Sequence, residues 1–151
     1  MRSRRWHRRT FVAAAAYNVT WGLATALYPA WLLPIAGGDA GDRLGFVSAL
    51  GLVVGLYGVM YAEVARQPER GWLIAAVGLT GKVLGPIGLI VLVLQGSWPP
   101  RSLLICLTND FVWWIPFAWY LRDAWPYFAR DLRGDESAAT RASVRSARAG
   151  R

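Results

Sequence analysis

The sequence predicts an all-α protein, a bundle of four antiparallel transmembrane helices. Three observations carry that expectation. Four apolar runs, at residues 11–33, 45–65, 72–95 and 102–121, each match the roughly 20 helical residues needed to cross a hydrocarbon core. Their flanks alternate between arginine-rich and arginine-poor. The connections between them are short, which makes consecutive runs antiparallel neighbours. A water-soluble domain of 151 residues would not need four such runs.

The elements follow in order. Residues 1–10 form a basic leader with Arg2, Arg4, Arg5, Arg8 and Arg9. The positive-inside rule puts this flank in the cytoplasm. Arg8-Arg9-Thr10-Phe11-Val12 resembles a twin-arginine export signal. The apolar stretch behind it is too long for one and carries Trp21, Tyr28 and Trp31, so an uncleaved first span is expected. The first connection, 34–44, holds Asp39, Asp42 and only Arg43, and belongs outside. The second, 66–71, holds Arg66 and Arg70 and belongs inside; the third, 96–101, holds Arg101 alone. From Arg122 onward arginine is abundant again, so both termini are expected in the cytoplasm of a multi-pass bacterial inner-membrane protein. Residues 122–132, with Trp125-Pro-Tyr-Phe128, read as an interfacial segment, and 133–151 as a disordered basic tail. Trp6, Tyr28, Trp31, Trp72, Trp98, Trp119, Tyr120 and Trp125 fall near the edges of the runs, where amphipathic rings prefer to sit.

Composition narrows the chemistry. The net charge of +8 suits membrane topology, and no nucleic-acid fingerprint accompanies it. Cys106 is the only cysteine, which rules out an intramolecular disulfide and reads as a small packing residue. His7 is the only histidine and sits in the leader, so one chain cannot build a histidine-based metal site or bis-histidine haem ligation. No cofactor is implied. The partner implied is the lipid bilayer.

Small residues suggest how the spans pack. Ser48, Gly51, Gly55 and Gly58 recur at offsets 0, 3, 7 and 10, and Gly78, Gly81, Gly85 and Gly88 repeat the pattern. Such stripes let helix backbones approach closely in lipid. Because the loop between the two runs is short, the expectation is a glycine-seamed hairpin of the second and third spans. In the alternative, one seam joins two copies into a homo-oligomer.

Of the 17 basic residues only Lys82 is a lysine, and it lies inside the third run. A charge at that depth costs about 2.5–3.5 kcal/mol on insertion scales and usually faces a partner or a cavity. Asp110 is the acidic residue deep in the fourth run. At 1.5 Å per residue, Asn18, Tyr57, Lys82 and Asp110 all fall within a few Å of the midplane, one from each span, with Asn109 beside them. Pro86 deprives the carbonyl of Lys82 of its helical donor, and Pro116 does the same for Val112. Freed carbonyls at membrane depth belong in protein or beside a cavity. Asp110, Trp113, Trp114 and Phe117 share a stripe, which places aromatic rings beside the carboxylate.

Tyr17-Asn18-x-x-Trp21-Gly22, Gly81-Lys82-x-x-Gly85-Pro86-x-Gly88 and Asn109-Asp110-x-x-Trp113-x-x-Pro116-Phe117 resemble elements of small, uncharacterised four-helix bacterial inner-membrane proteins. The resemblance covers about residues 11–121 and implies no activity. The small multidrug transporters share size and span number, but they are built around a glutamate in the first span, where this chain has Asn18.

The candidate site is therefore Lys82, Asp110, Asn18, Asn109 and Tyr57, with Trp113 and Trp114 at its edge. Two functions fit it. In one, a transporter-like or accessory membrane protein binds a small polar or ionic ligand, or a proton, at the central pair. In the other, a membrane-embedded enzyme acts on a lipid or isoprenoid, with Lys82 or Asp110 as acid or base. A purely structural Lys82–Asp110 ion pair is the bland alternative. A pocket touching both residues separates the first two from the third.

Overall fold

The computed structural model describes residues 3–36 and 43–149, and among these the chain is helical with no strand. Asp39 and Asp42, two of the charges of the expected first connection, lie outside the described residues. The order is α1 (Arg4–Leu27), a 3-10 turn (Pro29–Leu32) running into α2 (Leu33–Ala36), α3 (Arg43–Arg66) and α4 (Trp72–Leu94). A second 3-10 turn (Pro100–Leu103), α5 (Leu104–Cys106), a π-helical turn (Leu107–Phe111) and α6 (Val112–Ala149) follow.

Three stretches are long and apolar enough to cross a membrane: Leu44–Arg66, Trp72–Leu94 and Pro100–Gly134. α1 is not among them. Its first turns are basic, and its middle is alanine interrupted by Asn18, Thr20 and Trp21. What α1 does have is one buried stripe, formed by His7, Phe11, Ala14, Ala15, Asn18, Gly22 and Thr25. The leader is thus the first turns of a helix rather than a separate arm. At the other extreme, α6 continues through the expected interfacial segment to Ala149. The tail expected to lack structure is helical backbone, in keeping with its alanine and arginine, both strong helix formers.

Local chemistry sets the ends. Tyr28 precedes Pro29, which disfavours helical geometry there, and the last N–H of α1 closes on the Ala24 carbonyl. α4 ends in a Schellman motif. Gly96 takes φ +72°, its N–H donates to the Val93 carbonyl, and the Ser97 N–H donates to the Leu92 carbonyl.

The glycine seam is real but joins different helices from those expected. A Cβ on Gly22 would stand 2.5 Å from the Gly55 Cα, and one on Gly51 would stand 2.6 Å from the Ala26 nitrogen. Gly58 meets Val19 and Ala15 in the same way. Numbers rise on α3 as they fall on α1, so the two run antiparallel with their backbones in contact. The α4 stripe is different. A Cβ on Gly85 or Gly88 would meet nothing within 4 Å, and on Gly81 only the Tyr57 hydroxyl at 4.0 Å. The expected α3–α4 seam is therefore corrected to an α1–α3 seam. The reason is steric: α1 offers Ala15, Gly22 and Ala26 to the α3 glycines, whereas α3 turns Tyr57 toward α4.

α4 packs instead on the π turn and α6. Trp72 Nε1 donates to the Leu121 carbonyl at 2.9 Å, and the Trp72 ring stacks on Phe128 at 4.6 Å. Two apolar clusters close the ends of the molecule. Phe11, Tyr61, Val64, Phe117 and Tyr120 pack near the 67–71 loop, where the Tyr120 hydroxyl donates to the Pro68 carbonyl at 2.8 Å. Leu32 and Val47 pack at the other end with Trp21, Trp31, Trp98 and Ile105.

Candidate functional site

Between these clusters lies a cavity of about 420 Å³. Lys82 and Asp110 both line it, with Asn18, Tyr57 and Asn109. Five of the seven sequence-derived candidates therefore meet in one place. Trp113 and Trp114 do not line it.

The floor is built from α4 and the π turn. Lys82 is 5% exposed and Asp110 7%. They do not form the direct ion pair of the purely structural alternative; the ion pairs within 4.0 Å among the described residues are Arg4–Glu69, His7–Asp123 and Arg66–Glu63. Lys82 Nζ donates instead to the backbone carbonyl of Asn109 at 2.6 Å. The π turn makes that geometry available, because its wider winding displaces carbonyls from the ordinary helical ladder. Asp110 Oδ1 accepts from Asn109 Nδ2 at 3.0 Å. Asn109 thus bridges the two charges, accepting from Lys82 through its backbone and donating to Asp110 through its side chain. Asn18 is not part of that bridge. Its amide donates to the Ala14 carbonyl of its own helix at 2.7 Å.

At Pro86 the freed carbonyl finds a partner the sequence does not reveal. The Lys82 carbonyl freed by Pro86 accepts from the Trp114 indole at 3.1 Å. Trp113 Nε1 donates to the Thr108 carbonyl at 3.2 Å, and its ring centroid lies 6.0 Å from Lys82 Nζ. These two tryptophans support the floor from behind rather than wall the cavity.

Sequence reasoning missed several residues. Gly81, Gly85 and Gly88 line the cavity in place of forming a seam, and Cys106 lines it rather than only filling space. Phase would have found them. Gly78, Gly81, Lys82, Gly85 and Leu89 lie at helical spacing, as do Cys106, Asn109 and Asp110, so each set shares a face with a deep charge. Tyr61 also lines the cavity, and its hydroxyl sits where a Gly78 Cβ would stand. His7 was missed outside the cavity. It is fully buried, its Nε2 is 3.0 Å from Asp123 Oδ2, and its Nδ1 has no hydrogen-bond partner.

Above the floor the walls are apolar, with Leu50, Val53, Val54, Leu84, Leu89 and Leu92 among them. Leu50, Val53 and Leu84 are also exposed on the outer surface of the molecule. Exposed wall residues thus come from both α3 and α4. Such a space can take an apolar body and present polar groups to it.

No protein-family model matches the chain, and neither a curated protein nor a solved structure matches it.

Proposed function

We propose that the chain is a four-span membrane protein of the bacterial inner membrane, with both termini cytoplasmic, that binds a small ligand in this cavity. In that reading it is a transporter-like or accessory membrane protein. α1 is the fourth span, carried across by its backbone contact with α3 rather than by its own hydropathy. The observation that carries the binding reading is that one cavity touches both Lys82 and Asp110. A purely structural polar core has no need of a space beside it. A volume of about 420 Å³ lies within the roughly 300–1,000 Å³ common for ligand sites.

A membrane-embedded enzyme acting on a lipid or isoprenoid is the second reading, favoured by the exposed apolar wall of α3 and α4. Its chemistry would rest on one amine, one carboxylate, one thiol and the phenols of Tyr57 and Tyr61, and Trp113 and Trp114 do not line the cavity. Binding needs no more than those groups supply, so it is preferred.

Two experiments test this. Phosphatase and fluorescent reporters fused at Gly37 and at the tail should report a periplasmic first loop and a cytoplasmic terminus; the opposite pattern at either point removes the four-span arrangement. Protein purified after exposure to a membrane extract should retain a small molecule detectable by mass spectrometry, lost in the folded Lys82→Met/Asp110→Leu double variant. Equal retention by both proteins would remove the site.

A further inference from the structure

The charge balance of the cavity points to the class of ligand, given the binding reading above. Among the residues that line it, Lys82 and Asp110 are the only ones with an ionisable acid or base of the carboxylate or amine kind. With Lys82 as an ammonium and Asp110 as a carboxylate, their charges sum to zero. The rest of the lining is aliphatic, aromatic or glycine, apart from the uncharged polar groups of Asn18, Asn109, Cys106, Tyr57 and Tyr61. No second cation or anion stands ready to neutralise a ligand.

We propose that the cavity selects amphiphiles of zero net charge, with a hydroxyl-type head at the Lys82–Asp110 floor and an apolar body along Leu50, Leu89 and Leu92. A head carrying net charge would add an uncompensated charge to a low-dielectric space, where such charges are costly. A head with no polarity would bury the floor's remaining donors and acceptors unpaired. Lys82 uses one donor on the Asn109 carbonyl, and an ammonium has three. Asp110 is an acceptor in its ionised form, with capacity beyond the Asn109 amide. A hydroxyl both donates and accepts, so it serves both sides of the floor at once. Exposed apolar wall residues of α3 and α4 suit such a molecule, and neutral amphiphiles concentrate in lipid.

The test uses three photoreactive decyl probes that differ only in the head: hydroxyl, sulfonate or trimethylammonium. The full chain is reconstituted in phosphatidylcholine nanodiscs. Labelling of cavity-wall peptides containing Leu50, Leu89 and Leu92 is read by mass spectrometry, normalised to each probe's partition into protein-free discs. The hydroxyl probe should label about tenfold more than either charged probe, a modest fraction of the discrimination that burying a charge at this depth implies. Lys82→Gln should shift preference toward trimethylammonium, and Asp110→Asn toward sulfonate. The wild-type series decides the matter even if a variant does not fold. Cavity labelling by a charged probe equal to that by the hydroxyl probe overturns the selectivity and leaves the binding reading intact. Absence of cavity labelling by all three removes both.

Discussion

Two stripes of small residues in this protein share one spacing and have opposite fates. Ser48, Gly51, Gly55 and Gly58 on α3 are pressed against α1, with backbone meeting backbone around Gly22. Gly78, Gly81, Gly85 and Gly88 on α4 line a cavity, and at Gly85 and Gly88 a Cβ would have open space. Absent side chains permit close approach but do not command it. The partner decides. α1 presents small residues of its own, whereas α4 faces the phenol of Tyr57 across the gap. The same missing atoms that make a seam on one helix therefore make a binding space on another.

The largest expected effects test that contrast directly. Gly22→Ala and Gly51→Ala should each destabilise the fold by about 1–3 kcal/mol or more, because neighbouring backbone must move to admit the methyl group. Gly85→Ala should be neutral or stabilising by up to about 1 kcal/mol, since alanine is the better helix former. Unfolding in mixed micelles, followed by tryptophan fluorescence, measures both. Equal losses at Gly22 and Gly85 would break the comparison. Gly55→Ala sharpens it further. Its Cβ would meet Gly22 at 3.8 Å, an ordinary contact, so this substitution should be tolerated although Gly55 lies in the seam.

Charge removal at the floor is the next test. Lys82→Met or Asp110→Leu alone should cost about 3–5 kcal/mol, because a buried charge is left uncompensated. The double variant should recover much of that loss by the same stability measurement. Strictly additive losses would mean the two charges do not communicate, and the Asn109 bridge would then be irrelevant.

The tryptophan behind the floor should matter less. Trp114→Phe leaves the Lys82 carbonyl without a donor, at about 1–3 kcal/mol. Pro86→Ala restores a helical N–H to that carbonyl, so part of the loss should return in the Trp114→Phe/Pro86→Ala pair. A double-mutant cycle with no coupling would show that the indole does not replace the missing bond.

The smallest effect lies at the 67–71 loop, away from both stripes. Partial burial pushes the Glu69 carboxyl up, but the Arg4 hydrogen bond, a backbone hydrogen bond and the nearby positive charge together more than offset this, leaving it below the usual value. The contribution is therefore present above the ordinary glutamate range near pH 4.3 and fades as pH falls through the lowered value. Arg4→Ala should flatten a slight stability decline below pH 5. An unchanged acid profile would show that this surface pair contributes nothing, as many do.

Much of this was legible in the chain, for reasons that also explain what was not. Length and hydropathy expose three of the four expected spans, since each is apolar around most of its circumference. α1 is harder because its burial is a stripe against one neighbour, which an average over the helix dilutes. Lys82 and Asp110 could be matched in depth because rise per residue is fixed. Their link through Asn109 could not be derived, because it depends on a π turn that no residue of Leu107–Phe111 announces. The seam was misassigned for a related reason. Spacing identifies a face, but which helix covers that face depends on the partner's side chains. His7 was hidden by its arginine neighbours, although it begins the same stripe that continues through Phe11, Ala14 and Asn18.

The π turn has a consequence for how the last span can vary. One π turn holds about one residue more than an α turn, and each residue rotates a helix by about 100°. It works as a phase shifter between two halves of a single rod. Upstream of it, Cys106 is aimed at the cavity; downstream, Trp114 is aimed at the back of α4 and Phe117 at the core. Loss of one residue from Leu107–Phe111 would restore regular winding and turn one half against the other. The rod could then keep its grip on the cavity floor or on the core behind it, but not on both, so the length of this short stretch is as constrained as its composition.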